Sequence, residues 1–138
     1  MSERNLVVTR TDLCRLQELL RSQFAMVVGN GRPHIAELEE LLRHAEIVEP
    51  DSISPDIITM NSTIKLLDVN KNESEAFTLV YPDEACIAEG KLSILSPLGS
   101  QLLARVAEEL TFSVEERRTH NRIEKIWFQP ERVGAFNL

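Results

Sequence analysis

Side-chain catalysis needs groups that titrate, attack or hold a metal, so the carboxylates, histidines and glycine-rich turn of this chain come first. Glu37, Glu39 and Glu40 crowd three carboxylates into a short run, the raw material of a divalent-cation site. Leu38 and Leu41 interleave them at helical spacing, which makes the run the wet face of an amphipathic helix instead. His34 and His44 stand on one helical pattern near its opposite ends, too far apart to share a metal as an i, i+4 pair does, and both are expected at the surface. Gly29-Asn30-Gly31 has the freedom of a phosphate cradle, but it falls between two helical patterns and lacks the lysine such loops carry, so it reads as a turn. No nucleophile with a base stands out. The residues therefore assign no catalytic group, no metal and no cofactor, and the chain is not expected to be an enzyme.

With 138 residues, 43% of them hydrophobic, the chain can bury one modest core, or a small core with an appendage. Aromatic residues make up 5%, thin material for stacking on bases, and 22 acids against 15 bases leave a net charge of −7 that repels phosphates. Direct sequence-specific nucleic-acid binding is not expected; a basic protein partner is easier to accommodate. The densest basic stretch, Arg117, Arg118, His120, Arg122 and Lys125, follows Glu108, Glu109, Glu115 and Glu116 and reads as a solvated strand end. Cys14 and Cys86 sit among apolar neighbours without CxxC spacing, as buried, reduced thiols of a cytosol would. Neither the MSERNLVV start nor any run of about 18 apolar residues suggests export or membrane insertion, so a cytoplasmic location is expected.

Two periods divide the chain. Leu13, Leu16, Leu20 and Phe24 step by three and four, and so do Ile35, Leu38, Leu42 and Ala45, which predicts two helices. Thr9 with Asp12 resembles a capping box with a short acid, and Gly29 to Pro33 supplies a stop, a turn and a restart. The narrow stripes predict an antiparallel two-helix coiled-coil hairpin over 1–50, projecting roughly 25 Å. Pro50 and Pro55 mark the boundary to a second unit over 51–138.

There the period becomes two. Ile58, Met60, Ile64 and Leu66 share one side of an extended segment; Phe77, Leu79 and Tyr81 repeat the pattern after Asn70-Lys71-Asn72. Leu92 and Ile94, then Leu110, Phe112 and Val114, then Ile123 to Phe128 mark further strands. A short helix is expected over 97–105, with Leu102, Leu103 and Val106 packing on the sheet. The fold class is α+β. Between the helices, Phe24, Met26, Val27 and Val28 form an uncharged tip that either caps the hairpin's own interior or touches a partner.

The blocks Asn61-Ser62-Thr63-Ile64-Lys65-Leu66, Thr78-Leu79-Val80-Tyr81-Pro82-Asp83-Glu84-Ala85 and Gly90-Lys91-Leu92-Ser93-Ile94-Leu95-Ser96-Pro97-Leu98-Gly99 resemble the C-terminal domain of the Gre transcription elongation factors. Asp56-Ile57-Ile58-Thr59-Met60-Asn61-Ser62 and Leu79-Val80-Tyr81-Pro82 are most similar to the Rnk type, the regulators of nucleoside diphosphate kinase. The resemblance implies an FKBP-like domain that docks on bacterial RNA polymerase at the mouth of the secondary channel, with the hairpin pointing inward. It assigns the polymerase contact to Ser96 and Pro97, with Leu98 beside them. Leu95 departs from a position that is usually polar in Gre factors, and Ala107-Glu108-Glu109 departs from their Val-Gly-Asp turn.

Gre factors use an acidic pair at the hairpin tip to hold a second magnesium ion for transcript cleavage. Residues 22–33 carry one charge, Arg32, so cleavage stimulation is not expected. The resulting expectation is a polymerase-binding regulator that competes with Gre factors, monomeric, with Arg32 and the apolar tip as possible contacts. Two alternatives stand beside it. A prolyl isomerase would need Phe77, Tyr81, Phe112, Trp127 and Phe128 to converge on one pocket, and an interaction protein would act through its hairpin without any polymerase.

Overall fold

The computed structural model describes residues 6–22, 33–106, 112–113 and 120–135. Strand β1 (Val7–Thr9) runs straight into helix α1 (Arg10–Arg21), and helix α2 (Pro33–His44) is followed by strand β2 (Glu46–Val48). Thr9 makes the switch from strand to helix possible: its backbone is extended and its hydroxyl accepts the Asp12 N–H at 3.0 Å. At the far end of α1 the Ser22 hydroxyl donates to the Leu19 carbonyl at 2.6 Å. Strands β1 and β2 pair in parallel, Val8 opposite Ile47, so the two ends of the helical region lie side by side.

The remaining strands, β3 (Thr63–Asp68), β4 (Glu73–Val80), β5 (Lys91–Ser93), β6 (Phe112–Ser113) and β7 (His120–Phe128), form one sheet in the order β5-β4-β3-β7-β6. Only the β4–β5 pair is parallel. Ile123 and Ile126 are both buried although strict alternation would put them on opposite faces. Register shifts along β3 resolve this: Leu66 faces Ile123 and Ile64 faces Ile126, with one extra β7 residue taken up between them. Helix α3 (Pro97–Leu102) follows β5 and buries Leu102.

The helical stripes do not close on each other alone. Leu13, Leu16, Ile35, Leu38 and Leu42 belong to the same core as Ile58, Ile64, Leu102 and Ile123. Leu16 and Leu38 are 0% and 1% exposed, which a pair of helices standing free in water cannot achieve, because each leaves a flank open. The expected free-standing coiled coil is therefore corrected over its described part: each helix has 12 residues, about 18 Å, and lies against the rest of the core.

Smaller corrections follow the same logic of tertiary packing. The first sheet strand starts at Thr63 rather than Ile58, because residues 59–62 turn, with the Thr59 N–H bonded to Ser62 Oγ and Asn61 at φ 67. Helix α3 stops at Leu102, Ala104 takes φ 69, and Val106 is 37% exposed instead of packed on the sheet. Cys14, expected buried, is exposed beside the stripe residue Leu13, and Cys86 is partly buried. Leu110 and Val114 lie outside the described residues. Among those described, no helix is long and apolar enough to cross a membrane.

Candidate functional site

The segment from Ser93 to Ser100 is a turn held almost entirely by its own serines. Ser93 Oγ accepts the Leu95 N–H at 3.0 Å, and Ser96 Oγ donates to the Ser93 carbonyl at 2.7 Å. The same Ser96 oxygen accepts the Gly99 N–H at 3.0 Å and so caps α3, whose first residue is Pro97. Ser100 closes the set by donating from Oγ to the Pro97 carbonyl at 3.0 Å. Gly99 is required by space: a Cβ there would lie 2.0 Å from the Ser93 carbonyl oxygen. Ser96, Pro97 and Leu98 remain partly exposed on this rigid base.

Leu95 explains its own departure from the polar residue of Gre factors. Its side chain is buried at 4% exposure, and its carbonyl lies 3.0 Å from Nε2 of His34 on α2. His34 is therefore buried, correcting the expectation of a surface histidine, and it ties the helical region to the turn. His44 is exposed, as expected, and its Nδ1 lies 3.4 Å from Glu40 Oε2. Glu37, Glu39 and Glu40 are exposed, and among the described residues no group of three or more His, Cys, Asp or Glu side chains is arranged to hold a metal.

Beside the turn, the sheet face and Pro97, Leu98 and Ile87 enclose an open groove of about 580 Å³. Among the described residues, Phe77 is the one aromatic side chain lining it. Tyr81 lines a different cleft, against α1, and Trp127 is half exposed on β7, so the described aromatic residues do not converge as an isomerase pocket requires. The side chain of Phe112 and the tip residues Phe24, Met26, Val27, Val28 and Arg32 lie outside the description.

A second junction joins α1 to the sheet domain and was not foreseen. Asp12 is 3% exposed and its Oδ2 accepts the Met60 N–H at 3.0 Å. It keeps a side-chain hydrogen bond with Thr9 at the helix cap and also reaches across the core. Burial pushes its carboxyl up to about 7; the Met60 N–H opposes the shift, Glu131 adds to it, and Arg15 opposes it. The Tyr81 hydroxyl is also pushed above its ordinary range by burial, with Asp12 adding to the effect. Glu131 accepts from Thr59 Oγ1 at 2.7 Å, and Gln129 Nε2 donates to the Ser54 and Ile57 carbonyls, so residues 129–131 seal the loop before β3. No periodicity marks these contacts; the only signal was an acid placed among stripe residues.

A helical pair that shares one core with a five-stranded sheet thus stands beside a turn that borders an open groove. Residues 53–128 match the family described as transcription elongation factor, GreA/GreB, C-terminal, and the chain belongs to that family. It is 29% identical over 140 residues to the regulator of nucleoside diphosphate kinase of Escherichia coli K12, covering 100% of both chains. It is 31% identical over 96 residues to the transcription elongation factor GreA of Thermodesulfovibrio yellowstonii, a match that covers 69% of this chain and 61% of that protein. Among solved structures, the prokaryotic transcription elongation factor GreA/GreB from Nitrosomonas europaea superposes with a TM-score of 0.74 at 29% identity, over 91% of this chain and 100% of that one.

Proposed function

We propose that this chain is an RNA polymerase-binding transcription regulator that docks at the entrance of the secondary channel, competes there with Gre factors and does not stimulate transcript cleavage. The observation that carries the reading is the 93–100 turn. Its four serine-mediated hydrogen bonds present Ser96, Pro97 and Leu98 at fixed positions, so little ordering cost is left for a docking partner to overcome. These are the residues to which the Gre resemblance assigns the contact.

The reading takes residues 51–138 as an FKBP-like docking unit and residues 1–50 as the helical part that faces the channel. A location in the cytoplasm and a monomeric state go with it. Cleavage is left out because residues 22–33 offer no carboxylate for a second magnesium ion, Arg32 being their one charge.

The test is binding of the purified chain to bacterial core RNA polymerase, with a Gre factor titrated as competitor. Displacement by the competitor, and weaker binding of Pro97→Ala, are expected, together with no rise in transcript cleavage. No association at about tens of micromolar would sink the proposal.

A further inference from the structure

His34 stands where the helical region meets the turn at 93–100, and its imidazole reaches from one to the other. It is the second residue of α2, buried at 4% exposure, and its Nε2 lies 3.0 Å from the Leu95 carbonyl oxygen across 61 positions of chain. A carbonyl only accepts, so Nε2 carries the ring proton and Nδ1 is bare. Among the described residues Nδ1 has no hydrogen-bond partner, which leaves the ring held by this single bond. The serine bonds fix the internal shape of the turn, whereas the Leu95 carbonyl is a point at which it is fastened to another element. Farther along α2, Glu37 accepts from Gln101 Nε2 of α3 at 3.2 Å. Ile35 and Leu38 share their core with Leu102 and Leu103. The start of α2 thus meets the chain on both sides of Pro97, at Leu95 before it and at Gln101 after it.

We infer that His34 is a positioning residue for this turn: through the Leu95 carbonyl it makes the start of α2 and residues 95–100 open and close as one local unit. Breaking a buried hydrogen bond leaves both of its groups unsatisfied, so neither side opens without a cost to the other. Such coupling is reciprocal. A partner that grips Ser96, Pro97 and Leu98 steadies the start of α2, and a contact made on α2 steadies the turn by the same factor. The inference deepens the proposed docking and rests on that reading for the identity of the partner; the coupling within the chain does not depend on it.

The experiment measures amide hydrogen exchange in the full-length chain, comparing wild type with His34→Gln and His34→Asn. The side-chain nitrogen of Gln sits as many bonds from Cα as Nε2 of His and can renew the bond to Leu95, while that of Asn falls one bond short. With Asn, the amides of Leu38, Gly99 and Ser100 are expected to exchange about tenfold faster relative to those of β3, and Gln is expected to restore most of the protection. Imidazole 15N shifts of the wild-type chain are expected to show Nε2 protonated and Nδ1 bare. Faster exchange spread evenly over β3 and β7 would reduce His34 to a general stabilising contact and overturn the inference. Unchanged exchange at Gly99 and Ser100, absence of rescue by Gln, or a ring protonated at Nδ1 would overturn it equally. With core polymerase added, slower exchange of Leu38 is expected in the wild type but not in the Asn variant, and binding that slows Gly99 while leaving Leu38 unchanged would count against the coupling. Absence of any binding to core polymerase would sink the docking proposal alone, because exchange in the free chain decides the role of His34.

Discussion

At the 93–100 turn the serine hydrogen bonds span two or three residues, whereas the Asp12–Met60 bond that fastens α1 spans 48. The turn uses neutral hydroxyls that find backbone partners wherever the chain folds locally. The α1 junction buries a carboxyl and leaves its proton to decide how well it fits. One attachment is indifferent to pH and the other is not, although both hold parts of the same core in place.

The largest expected effect tests that difference at Asp12. Its carboxyl is raised from 3.8 to about 7 in the folded chain, so the folded state binds the proton more tightly than the unfolded state does. The stability it contributes is fully present below the unfolded value and is lost as pH rises through the folded one. Asp12→Asn keeps an acceptor for the Met60 N–H without the charge. It is expected to stabilise the protein on the order of a few kcal/mol near about pH 8 and to flatten the dependence between about pH 4 and pH 7, read from urea midpoints. Parallel curves for the two proteins would remove the titratable half of the comparison.

Next in size is Gly99→Ala. The added Cβ meets the Ser93 carbonyl, which the turn cannot move without losing its own hydrogen bonds, so a loss of about 1–3 kcal/mol is expected in thermal unfolding. Ser96→Ala removes the cap and is expected to cost about 1 kcal/mol, by the same amount at every pH, in chemical denaturation. A pH-dependent cost there would blur the contrast between the two attachments. Cys14→Ser is expected to change stability by no more than about 0.5 kcal/mol, and a thiol reagent is expected to modify Cys14 in the native protein faster than the partly buried Cys86.

The same contrast explains what could be read from the amino-acid order. Thr9 as a cap, Pro97 opening α3 after Ser96, and the β3–β4 hairpin around Asn70-Lys71-Asn72 were legible because each is fixed by neighbours a few residues away. The five strands after Pro55 were legible in kind but not in extent, since turns at Asn61 and Ala104 answer to packing and not to alternation. Buried His34 was missed because its partner is a backbone carbonyl at Leu95, and backbone partners leave no trace in residue type. Asp12 was assigned to the cap, where it does interact with Thr9, while its second partner, the Met60 N–H, lay beyond the second helix and left no sign. At the candidate site, Ser96 and Pro97 were found through resemblance, whereas the groove beside them brings together Leu66, Phe77 and Leu98 from separate elements and had no local sign.

The parallel pairing of β1 with β2 gives the helical region a footing in which the returning chain, at Glu46, lies opposite Val7 on the strand it left at Thr9. The chain between Thr9 and Glu46 is therefore an excursion that leaves and returns at neighbouring points of one small sheet. Residues inserted between Arg21 and Pro33 would lengthen the excursion, each added helical turn per arm extending it about 5.4 Å, without disturbing the sheet, the groove or the docking turn. Reach is in this sense a replaceable cassette, which grafting arms of chosen length onto this base can exploit.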